Sequence, residues 1–382
     1  MNKFTLTTIA IASISMTNTV FADTFHYAAI IDAGSSGSRI HLFQYEADKA
    51  IPAIKDIFSE SIKPGLSSYS KNPTAAGESL KQLLDDAVNT LQKEHVDPKT
   101  VSVSVLATAG MRLLPTDSQQ AIYDNVKNYI QDHYAFSIKQ VATIPGQMEG
   151  LYGWLDVNYL AENFQHDTET LGSIDMGGAS TQITFTTTDT THPEDEMDIQ
   201  VGKKSYHVFA KSFLGLGQDQ SLATMNKDAA ASSCYPVNYT MDQLVGNYDY
   251  ATCSATYTNI IQQHHVVEEV VPHADQHFIV FSAAYYDYKF FNLLQTPDQS
   301  TVEQRVQSIC SESWDQLQKD YPKENPKFLA NYCANETYLD DLFYNTYQLN
   351  GSHIKITDKI NDEDLDWTTG ALLFQLANTA AH

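Results

Sequence analysis

A short unit that occurs twice constrains this chain more than any other feature. An apolar run ends at Ile31 and is followed by residues 32–34 (Asp-Ala-Gly) and then by alternating apolar and polar residues. The same order recurs at residues 175–177 (Asp-Met-Gly), 143 residues later. Each copy predicts a strand, a tight glycine-rich turn and a second strand. We interpret the pair as an internal duplication, although two ordinary hairpins would give the same pattern.

Both turns have the composition of a phosphate-binding loop. Glycines let the backbone approach a ligand closely, and successive backbone N–H groups in a tight turn form a concave site for anions. Serine hydroxyls add hydrogen-bond donors. The residues that qualify on these grounds are Gly34, Ser35, Ser36, Gly37 and Ser38 in the first turn, and Gly177, Gly178 and Ser180 in the second.

The charge balance limits what the chain can bind. Lys and Arg number 23 against 47 Asp and Glu, a net charge of -24, which argues against nucleic acid or an anionic membrane surface as partner. A polyphosphate would have to be held by backbone amides, a few cations and a divalent metal ion. Asp32 and Asp175 occupy equivalent positions in the two copies and suit Mg²⁺ or Ca²⁺ held through retained waters. Either carboxylate alone would also serve to cap its own turn.

The N-terminus has the pattern of an export signal. Lys3 precedes an apolar stretch, and residues 20–22 (Val-Phe-Ala) place small side chains where a signal peptidase cleaves. We expect residues 1–22 to be a signal peptide, with an N-terminal helix as the alternative, and the mature chain to be secreted or periplasmic. Neither end has the ~20 mostly apolar residues of a membrane-spanning helix, so no membrane anchor is expected.

The chain has four cysteines, and an even number in an exported protein predicts two disulfides. Three connectivities exist. We favour the sequential one, Cys234–Cys253 and Cys310–Cys333, because each bond closes a short loop. A zinc site is the rival, but no CxxC or HExxH spacing occurs.

Hydrophobic spacing predicts helices over 80–91, 119–129 and 302–317 and strands over 101–105 and 278–282. Residues 145–150 predict a turn, in which Glu149 would be exposed enough to act as a general base on water. A plain surface charge is the alternative for Glu149. Residues 366–370 predict a loop before a C-terminal helix.

Five segments carry a resemblance to a known family. Four of them resemble, in order and rough spacing, the first four conserved regions of the apyrases, the ecto-nucleoside triphosphate diphosphohydrolases, and a fifth segment resembles the fifth region. The segments are 32–39 (DAGSSGSR), 107–114 (ATAGMRLL), 146–154 (GQMEGLYGW), 175–182 (DMGGASTQ) and 366–370 (DWTTG).

The resemblance implies an α/β fold of two actin-like, RNase H-type lobes with the active site in the cleft between them. Lobe I would comprise residues 23–145 plus 364–382, and lobe II residues 146–363. It implies hydrolysis of nucleoside tri- and diphosphates to monophosphate and inorganic phosphate, dependent on Ca²⁺ or Mg²⁺, by a water that a glutamate activates. A monomer is expected.

The resemblance also implies a role for individual residues. Glu149 would be the base, and Ser180 and Gln182 would hold the attacking water. Arg39 and Arg112 would contact phosphate or form an ion pair that braces the lobes. The water shell of the metal would be surrounded by Asp32, Thr108, Asp175 and Trp367. The phosphate loops would be 34–38, with Arg39 beside them, and Gly177, Gly178 and Ala179.

The nucleobase would stack on an aromatic ring, for which the resemblance implies Tyr338, with Tyr344 and Tyr347 as alternates. The helical spacing of these tyrosines is equally typical of a buried core. This chain is also expected to depart from the animal cell-surface members of the family. Those members carry a membrane helix at each end, and the sequence predicts none here.

Two other functions stay open on the sequence. An exopolyphosphatase-type phosphatase would share the two glycine-rich hairpins and the glutamate. An actin- or chaperone-like nucleotide-binding protein would hydrolyse slowly to time a conformational change. The long aromatic second half and the export signal favour nucleotides over polyphosphate. A secreted chain would meet little ATP on which a timer could cycle.

Overall fold

The computed structural model describes residues 25–47, 49–266, 270, 272, 275–295 and 298–379. The predicted signal peptide, residues 1–22, lies outside these residues. Among the described residues, the longer strands are β1 (Phe25–Ala33), β2 (Ser38–Glu46), β3 (Ala53–Ile62), β4 (Ser102–Ala107), β5 (Ser137–Thr143), β6 (Gly172–Met176), β7 (Ser180–Thr186), β8 (Glu196–Val201) and β9 (Lys204–Leu214). The later strands are β10 (Thr240–Met241), β11 (Leu244–Val245), β12 (Phe278–Ser282), β13 (Ile354–Ile356), β14 (Lys359–Ile360) and β15 (Glu363–Asp364).

The helices cover both sheets and fill the junction between them. They are α1 (Ala76–Ser79), α2 (Lys81–Lys93), α3 (Ala109–Arg112), α4 (Thr116–His133), α5 (Gly146–Leu160), α6 (Asn163–His166), α7 (Gln218–Met225), α8 (Tyr250–Gln262), α9 (Ala283–Phe290), α10 (Gln299–Cys310), α11 (Trp314–Asp320), α12 (Pro326–Asp340) and α13 (Thr368–Thr379). A π-helical segment, Asp341–Thr346, continues α12, and 3-10 turns occur at Leu66–Lys71, Pro73–Ala75, Pro98–Thr100, Ala231–Cys234 and Gly351–His353.

Two mixed sheets share one internal plan. The first has the strand order β3-β2-β1-β4-β5, and the second has the order β13-β12-β6-β7-β9-β8. In each sheet an antiparallel hairpin is central, β1–β2 or β6–β7. The first hairpin strand then pairs in parallel with a later strand, β4 or β12. The order β9-β7-β6-β12-β13 therefore repeats β3-β2-β1-β4-β5, and the predicted α/β fold with two related sheets is confirmed.

Each sheet has its own hydrophobic core. In the first, the α2 face that carries Leu83 and Leu84 and the α4 face that carries Val126 pack on the alternating valines of β4. In the second, buried side chains of α8, α9, α10 and α12 form one core with those of β6 and β12, and this core is rich in aromatic side chains. Both cores follow from the apolar periodicity, because a helix or strand must bury its apolar face.

Helices α5 and α13 lie between the two cores. Ile30 of β1, Trp154 of α5 and Ala371 of α13 belong to one buried cluster. The two helices cross closely at Gly370, where a Cβ atom would lie 1.9 Å from the Tyr152 carbonyl oxygen. A glycine is required at this crossing, because any side chain would separate the helices.

The turn predicted over residues 145–150 is wrong. Helix α5 begins at Gly146, directly after Pro145, and Glu149 lies buried in its first turn. Gly146 and Gly150 serve packing here, since a Cβ atom at Gly150 would lie 2.7 Å from the Thr184 hydroxyl oxygen. Proline is compatible with this position, because a backbone N–H at the start of a helix would have no intrahelical partner, and proline lacks that N–H.

Two other predictions differ in detail. The helix predicted over 302–317 is two helices, α10 and α11, because the Ser313 side chain accepts a hydrogen bond from the Gln316 N–H and starts a new helix. The C-terminal helix begins at Thr368, inside the predicted loop, because the Asp366 carboxylate accepts from the Thr368 N–H at 2.5 Å.

Both disulfides have the predicted sequential connectivity. Cys234 bonds to Cys253 and Cys310 bonds to Cys333, with Cα–Cα distances of 5.0 and 5.7 Å. Both tie helices within the second core: Cys253 lies in α8, and Cys310 and Cys333 join α10 to α12. The proposed lobe limits remain a prediction. No helix in the described part of the chain is long and apolar enough to span a membrane.

Reducing the disulfides should lower the free energy of unfolding of the second core. The two disulfides close loops of 19 and 23 residues. The lower chain entropy of the unfolded state predicts a stabilisation of ~3 kcal/mol from each of them. Urea denaturation with and without reductant measures the effect. Mass spectrometry of a non-reduced digest should find the two sequential pairs, and a free thiol or a crossed pair would contradict the connectivity.

Candidate active site

The two glycine-rich turns face each other across the junction of the sheets. A Cβ atom at Gly178 would lie 2.7 Å from the Ser35 hydroxyl oxygen of the opposite turn and 2.8 Å from Asp219 Oδ2. Only a glycine lets the two turns approach this closely without displacing those side chains. The structure therefore brings the two predicted phosphate loops to one place.

The first turn is held by neighbouring glycines. A Cβ atom at Gly65 would lie 2.4 Å from the Gly34 carbonyl oxygen, and one at Gly110 would lie 2.7 Å from Ser35 Cα. Backbone thus packs directly against backbone on two sides of residues 34–37. Such contacts fix the turn in a way that flexible side chains would not.

The second turn is held by the N-terminus of α7. The backbone N–H groups of Gln218 and Gln220 donate to the carbonyls of Gly177 and Gly178 at 2.9 and 3.1 Å, and the Gly215 N–H donates to Ala179 at 2.8 Å. In a planar trans peptide the next N–H points away from the preceding carbonyl. The amides of Gly178 and Ala179 are therefore directed to the side opposite α7, where an anion can accept from them.

Glu149 lies in a buried polar network. Its carboxylate forms an ion pair with Arg112 and accepts from the Gln182 amide at 3.3 Å. The same amide nitrogen lies 2.7 Å from the Ser180 hydroxyl oxygen and 2.9 Å from that of Ser212. Gln182 thus contacts both Glu149 and Ser180, and it brings together the three residues predicted for the base and its water.

Burial raises the pKa of Glu149 to about 8; Arg112 opposes this shift, while the charges of Asp175 and Asp32 add to it. A base with a pKa near the working pH combines a useful ionised fraction with good proton affinity. Glu149 therefore has the properties that proton abstraction from water requires.

Arg112 forms an ion pair with Glu149, and its two predicted roles, phosphate contact or bracing of the lobes, stay predictions. It extends from α3, in the region of the first sheet, to Glu149 on α5, and a second guanidinium nitrogen lies 3.3 Å from the Ser212 hydroxyl. The ion pair joins elements that pack on different sheets. Arg39 is exposed and lies directly opposite Asp32 in the β1–β2 register.

The aspartates expected near a metal ion are crowded by like charge. Burial and the Asp366 carboxylate raise the pKa of Asp32 to about 7. Burial also raises the pKa of Asp175 to about 6, and Asp366 adds to the effect. A nearby cation favours the ionised form of a carboxylate, so this arrangement suits a bound cation.

These residues fit a cation held through water. Asp32 Oδ1 is buried and has no hydrogen-bond partner, which leaves it free to accept from a metal-bound water. The described residues contain no group of three or more His, Cys, Asp or Glu side chains placed to ligate a metal directly. Thr108 lies at the end of β4, and its N–H donates to the Ala33 carbonyl at 3.3 Å. Trp367 is buried and stacks on Tyr152 with ring centroids 6.2 Å apart.

Tyr338, which is expected to stack on the base, lies in α12. Its side chain is fully buried in the second core, its hydroxyl donates to the Leu216 carbonyl, and its ring lies against Tyr257. Tyr344 and Tyr347 are buried as well. No face of the Tyr338 ring is exposed, which agrees with the alternative of a buried core residue, and a role in base binding stays a prediction.

Several residues at the site have no signal in the sequence. Ser212 pairs with Gln182 in the β7–β9 register, and nothing local marks it. His41 and Asp366 form an ion pair at the edge of the site. Asp219 approaches Gly178 from α7. Only Asp366 lies in a recognised motif, and no role is predicted for it.

The sequence of residues 18–382 matches the model of the GDA1/CD39 (nucleoside phosphatase) family. The chain belongs to this family. Probable apyrase 5 of Arabidopsis thaliana is 28% identical over 400 residues, which cover 91% of this chain and 82% of that protein. Ectonucleoside triphosphate diphosphohydrolase 2 of Gallus gallus is 29% identical over 428 residues, with the same coverage of 91% and 82%. The family predicted from the five segments is confirmed.

Solved structures show the same fold. A nucleoside triphosphate hydrolase structure from Neospora caninum matches with a TM-score of 0.68 at 17% identity, covering 94% of this chain and 93% of that one. A Ppx/GppA family structure from Aquifex aeolicus matches with a TM-score of 0.57 at 13% identity, covering 93% and 99%.

Replacing Gly217 should destabilise this family member at its second turn. In Gly217→Ala the new Cβ would lie 2.3 Å from the Ser180 backbone nitrogen and 2.4 Å from that of Ala179, where no flexible side chain can yield. Overpacking of this kind costs about 1–3 kcal/mol, measurable by urea denaturation. Gly153→Ala is the matched control, since its nearest atom is one ring carbon of Phe281 at 3.2 Å. Equal stability of the two variants would contradict the rigid turn.

Proposed function

We propose that this chain is an apyrase that hydrolyses nucleoside tri- and diphosphates to the monophosphate and inorganic phosphate. The observation that carries the proposal is the position of Glu149, which is buried and hydrogen-bonded to Gln182 beside the two opposed phosphate turns. Membership of a nucleoside phosphatase family supports it. The names of the apyrase and diphosphohydrolase relatives support the choice of substrate.

The two turns bind two successive phosphates in this proposal. The terminal phosphate and its neighbour each accept from backbone amides, at residues 34–38 and at residues 177–179. Backbone donors are needed because the chain has few cations, 23 against 47 acidic residues. The proposal assigns Ser35 and Gly178, which meet across the cleft, to the contact between the two phosphates.

Glu149 then acts as the general base. The water oxygen forms a bond to the terminal phosphorus, the anhydride P–O bond breaks, and the water proton passes to the Glu149 carboxylate. Ser180 and Gln182 hold this water, and Arg112 keeps the Glu149 carboxylate oriented and favours its ionised form. No side chain becomes phosphorylated in this scheme, because the attacking oxygen is that of water.

A Ca²⁺ or Mg²⁺ ion is the proposed cofactor, held through waters by Asp32, Thr108, Asp175 and Trp367. When bound, it supplies positive charge that draws electrons from the phosphate oxygens and stabilises the leaving group. The unpartnered Asp32 Oδ1 and the raised pKa of both aspartates support this assignment.

The location and assembly state follow from the sequence in this proposal. The signal peptide over residues 1–22 predicts a secreted or periplasmic protein. The two disulfides suit an oxidising compartment. We propose a monomer.

An exopolyphosphatase-type activity is the second candidate. The likeness to a Ppx/GppA structure concerns the fold, which both activities can use. The choice between them therefore depends on the substrate that the cleft accepts. An actin- or chaperone-like timer would bind nucleotide and turn it over slowly.

Glu149→Gln should fold and bind nucleotide but lose turnover, because the amide cannot accept the water proton. Removing a general base typically costs ~10²–10⁴-fold in kcat, measured as phosphate release. Glu162→Gln is the matched control. Glu162 lies just after the same helix, is exposed and forms an ion pair with His166. If Glu149→Gln retains more than about a tenth of wild-type kcat, Glu149 is not the base.

The reaction should run from triphosphate to diphosphate to monophosphate and stop there. Two turns need two adjacent phosphates, and a nucleoside monophosphate has no anhydride. Hydrolysis in ¹⁸O-water should place one label in the released phosphate and none in the nucleotide product. A panel of nucleotides and long-chain polyphosphate with Ca²⁺ or Mg²⁺ tests this; label in the monophosphate would refute attack at the terminal phosphorus. Strong preference for long polyphosphate would select the second candidate.

A further inference from the structure

Three side chains on one face of α5 reach two different parts of the site. Glu149, Tyr152 and Asp156 follow one another at intervals of three and four residues, so they lie along one stripe of the helix. Glu149 stands in the first turn, in the buried polar network described above. Tyr152 and Asp156, one and two turns later, contact the segment that precedes α13. Helix α5 therefore carries the proposed base and also touches the segment that contains Trp367.

Asp156 is a carboxylate that is 0% exposed. Its Oδ2 accepts a hydrogen bond from the Asp366 N–H at 3.1 Å, and its Oδ1 has no hydrogen-bond partner. Burying a carboxylate is costly unless polar contacts compensate, so apolar packing does not explain an aspartate at this position. What Asp156 does provide is an acceptor for a backbone N–H that lies 210 residues further along the chain.

Two further contacts hold the same segment against α5. The Trp367 ring stacks on that of Tyr152, with centroids 6.2 Å apart. A Cβ atom at Gly370 would lie 1.9 Å from the Tyr152 carbonyl oxygen and 2.9 Å from the Asp156 backbone nitrogen. Helix α13 thus lies directly on α5 at this point, with no side chain between the two backbones. The hydrogen bond to Asp156 fixes where the segment stops along that contact, because a hydrogen bond demands a defined distance and angle.

Asp366 transmits this position to the start of α13. One of its carboxylate oxygens accepts from the Thr368 N–H and hydroxyl at 2.5 and 2.7 Å, so the residue caps helix α13. The backbone N–H of Asp366 thus binds α5, and its side chain begins α13. Trp367, which is proposed for the water shell of the metal ion, lies between these two contacts.

We propose that Asp156 is a positioning residue: its Oδ2 holds the Asp366 N–H and thereby fixes Trp367 and the start of α13 in register with Glu149 on the same helix. The kinetic part of this inference rests on the proposed nucleotide hydrolysis. Asp156 acts through Asp366 and Trp367, on the side of the site proposed for the metal ion. Its loss therefore lowers metal affinity and turnover more than it lowers nucleotide binding.

Two variants separate the hydrogen bond of Asp156 from its charge. Asp156→Asn loses the charge but keeps a carbonyl oxygen that accepts from the Asp366 N–H, whereas Asp156→Leu keeps the branched shape and accepts nothing. We expect Asp156→Leu to lose about 10–100-fold in kcat and to need about tenfold more Ca²⁺ or Mg²⁺ for half-maximal phosphate release, as loss of a supporting partner of a metal site typically causes. The KM for nucleotide at saturating metal should change by less than about threefold. Asp156→Asn should retain most of the kcat and the metal requirement of the wild type.

Hydrogen exchange gives a readout that does not depend on activity. The amides of Asp366 and of the first two turns of α13 should exchange faster in Asp156→Leu than in Asp156→Asn or the wild type, while those of α4 stay unchanged. Tyr159→Phe is the matched control. Tyr159 also lies on α5, and its hydroxyl oxygen likewise accepts from a distant backbone N–H, that of Ile54 at 2.7 Å. Its loss should leave kcat, the metal requirement and the exchange of α13 unaffected.

Three results would overturn the inference: wild-type kcat and metal requirement in Asp156→Leu, an equal loss in Asp156→Asn and Asp156→Leu, or unchanged exchange of α13. If Asp156→Leu does not fold, Asp156→Ala takes its place, because the smaller side chain cannot overpack the site. Failure of both variants to fold would assign Asp156 to the stability of the whole protein, which also overturns the inference. A wild type that hydrolyses no nucleotide would refute the proposed function, while the exchange comparison would still test how Asp156 holds α13 against α5.

Discussion

Repulsion between buried carboxylates is the constraint on which the site depends. Five acidic side chains at the junction of the sheets are buried or partly buried. The charges of Asp32, Asp175 and Asp366 each raise the pKa of at least one other carboxyl group in this set. Two basic side chains pair with members of the group: Arg112 contacts Glu149, and His41 contacts Asp366. A divalent ion near Asp32 and Asp175 would balance the remaining charge. The five side chains are Asp32, Glu149, Asp156, Asp175 and Asp366.

The duplicated hairpin explains how this group is assembled from distant parts of the sequence. The same strand order in both sheets places Asp32 and Asp175 at the same position of each hairpin. The supports of the two turns nevertheless differ. The first turn is held by the backbone contacts of Gly65 and Gly110, and the second by hydrogen bonds from α7. The same strand order thus positions two turns that have different neighbours.

The sequence predicts what depends on local pattern. Turn composition and apolar periodicity indicate both hairpins, and the short loops between successive cysteines favour the observed pairing. The two-sheet fold is predicted by the resemblance of five segments to a known family. Long-range contacts are not specified in this way. Ser212 reaches Gln182 through strand register, and His41 meets Asp366 from the opposite end of the chain. Tyr338 shows the same limit, since its burial depends on a contact with Leu216, 122 residues away.

The bonds from α7 to the second turn have a consequence for the effect of salt on the enzyme. Because Gln218 and Gln220 occupy the carbonyls of Gly177 and Gly178, the groups left for a phosphate are backbone amides, which carry no net charge. Proteins that bind phosphates through Lys and Arg lose affinity as ionic strength rises. Here the surface carries a net charge of -24 and repels a polyanionic substrate over about 10 Å at 0.1 M salt. For the proposed nucleotide hydrolysis, we therefore expect added salt to screen this repulsion and to speed the encounter with the substrate.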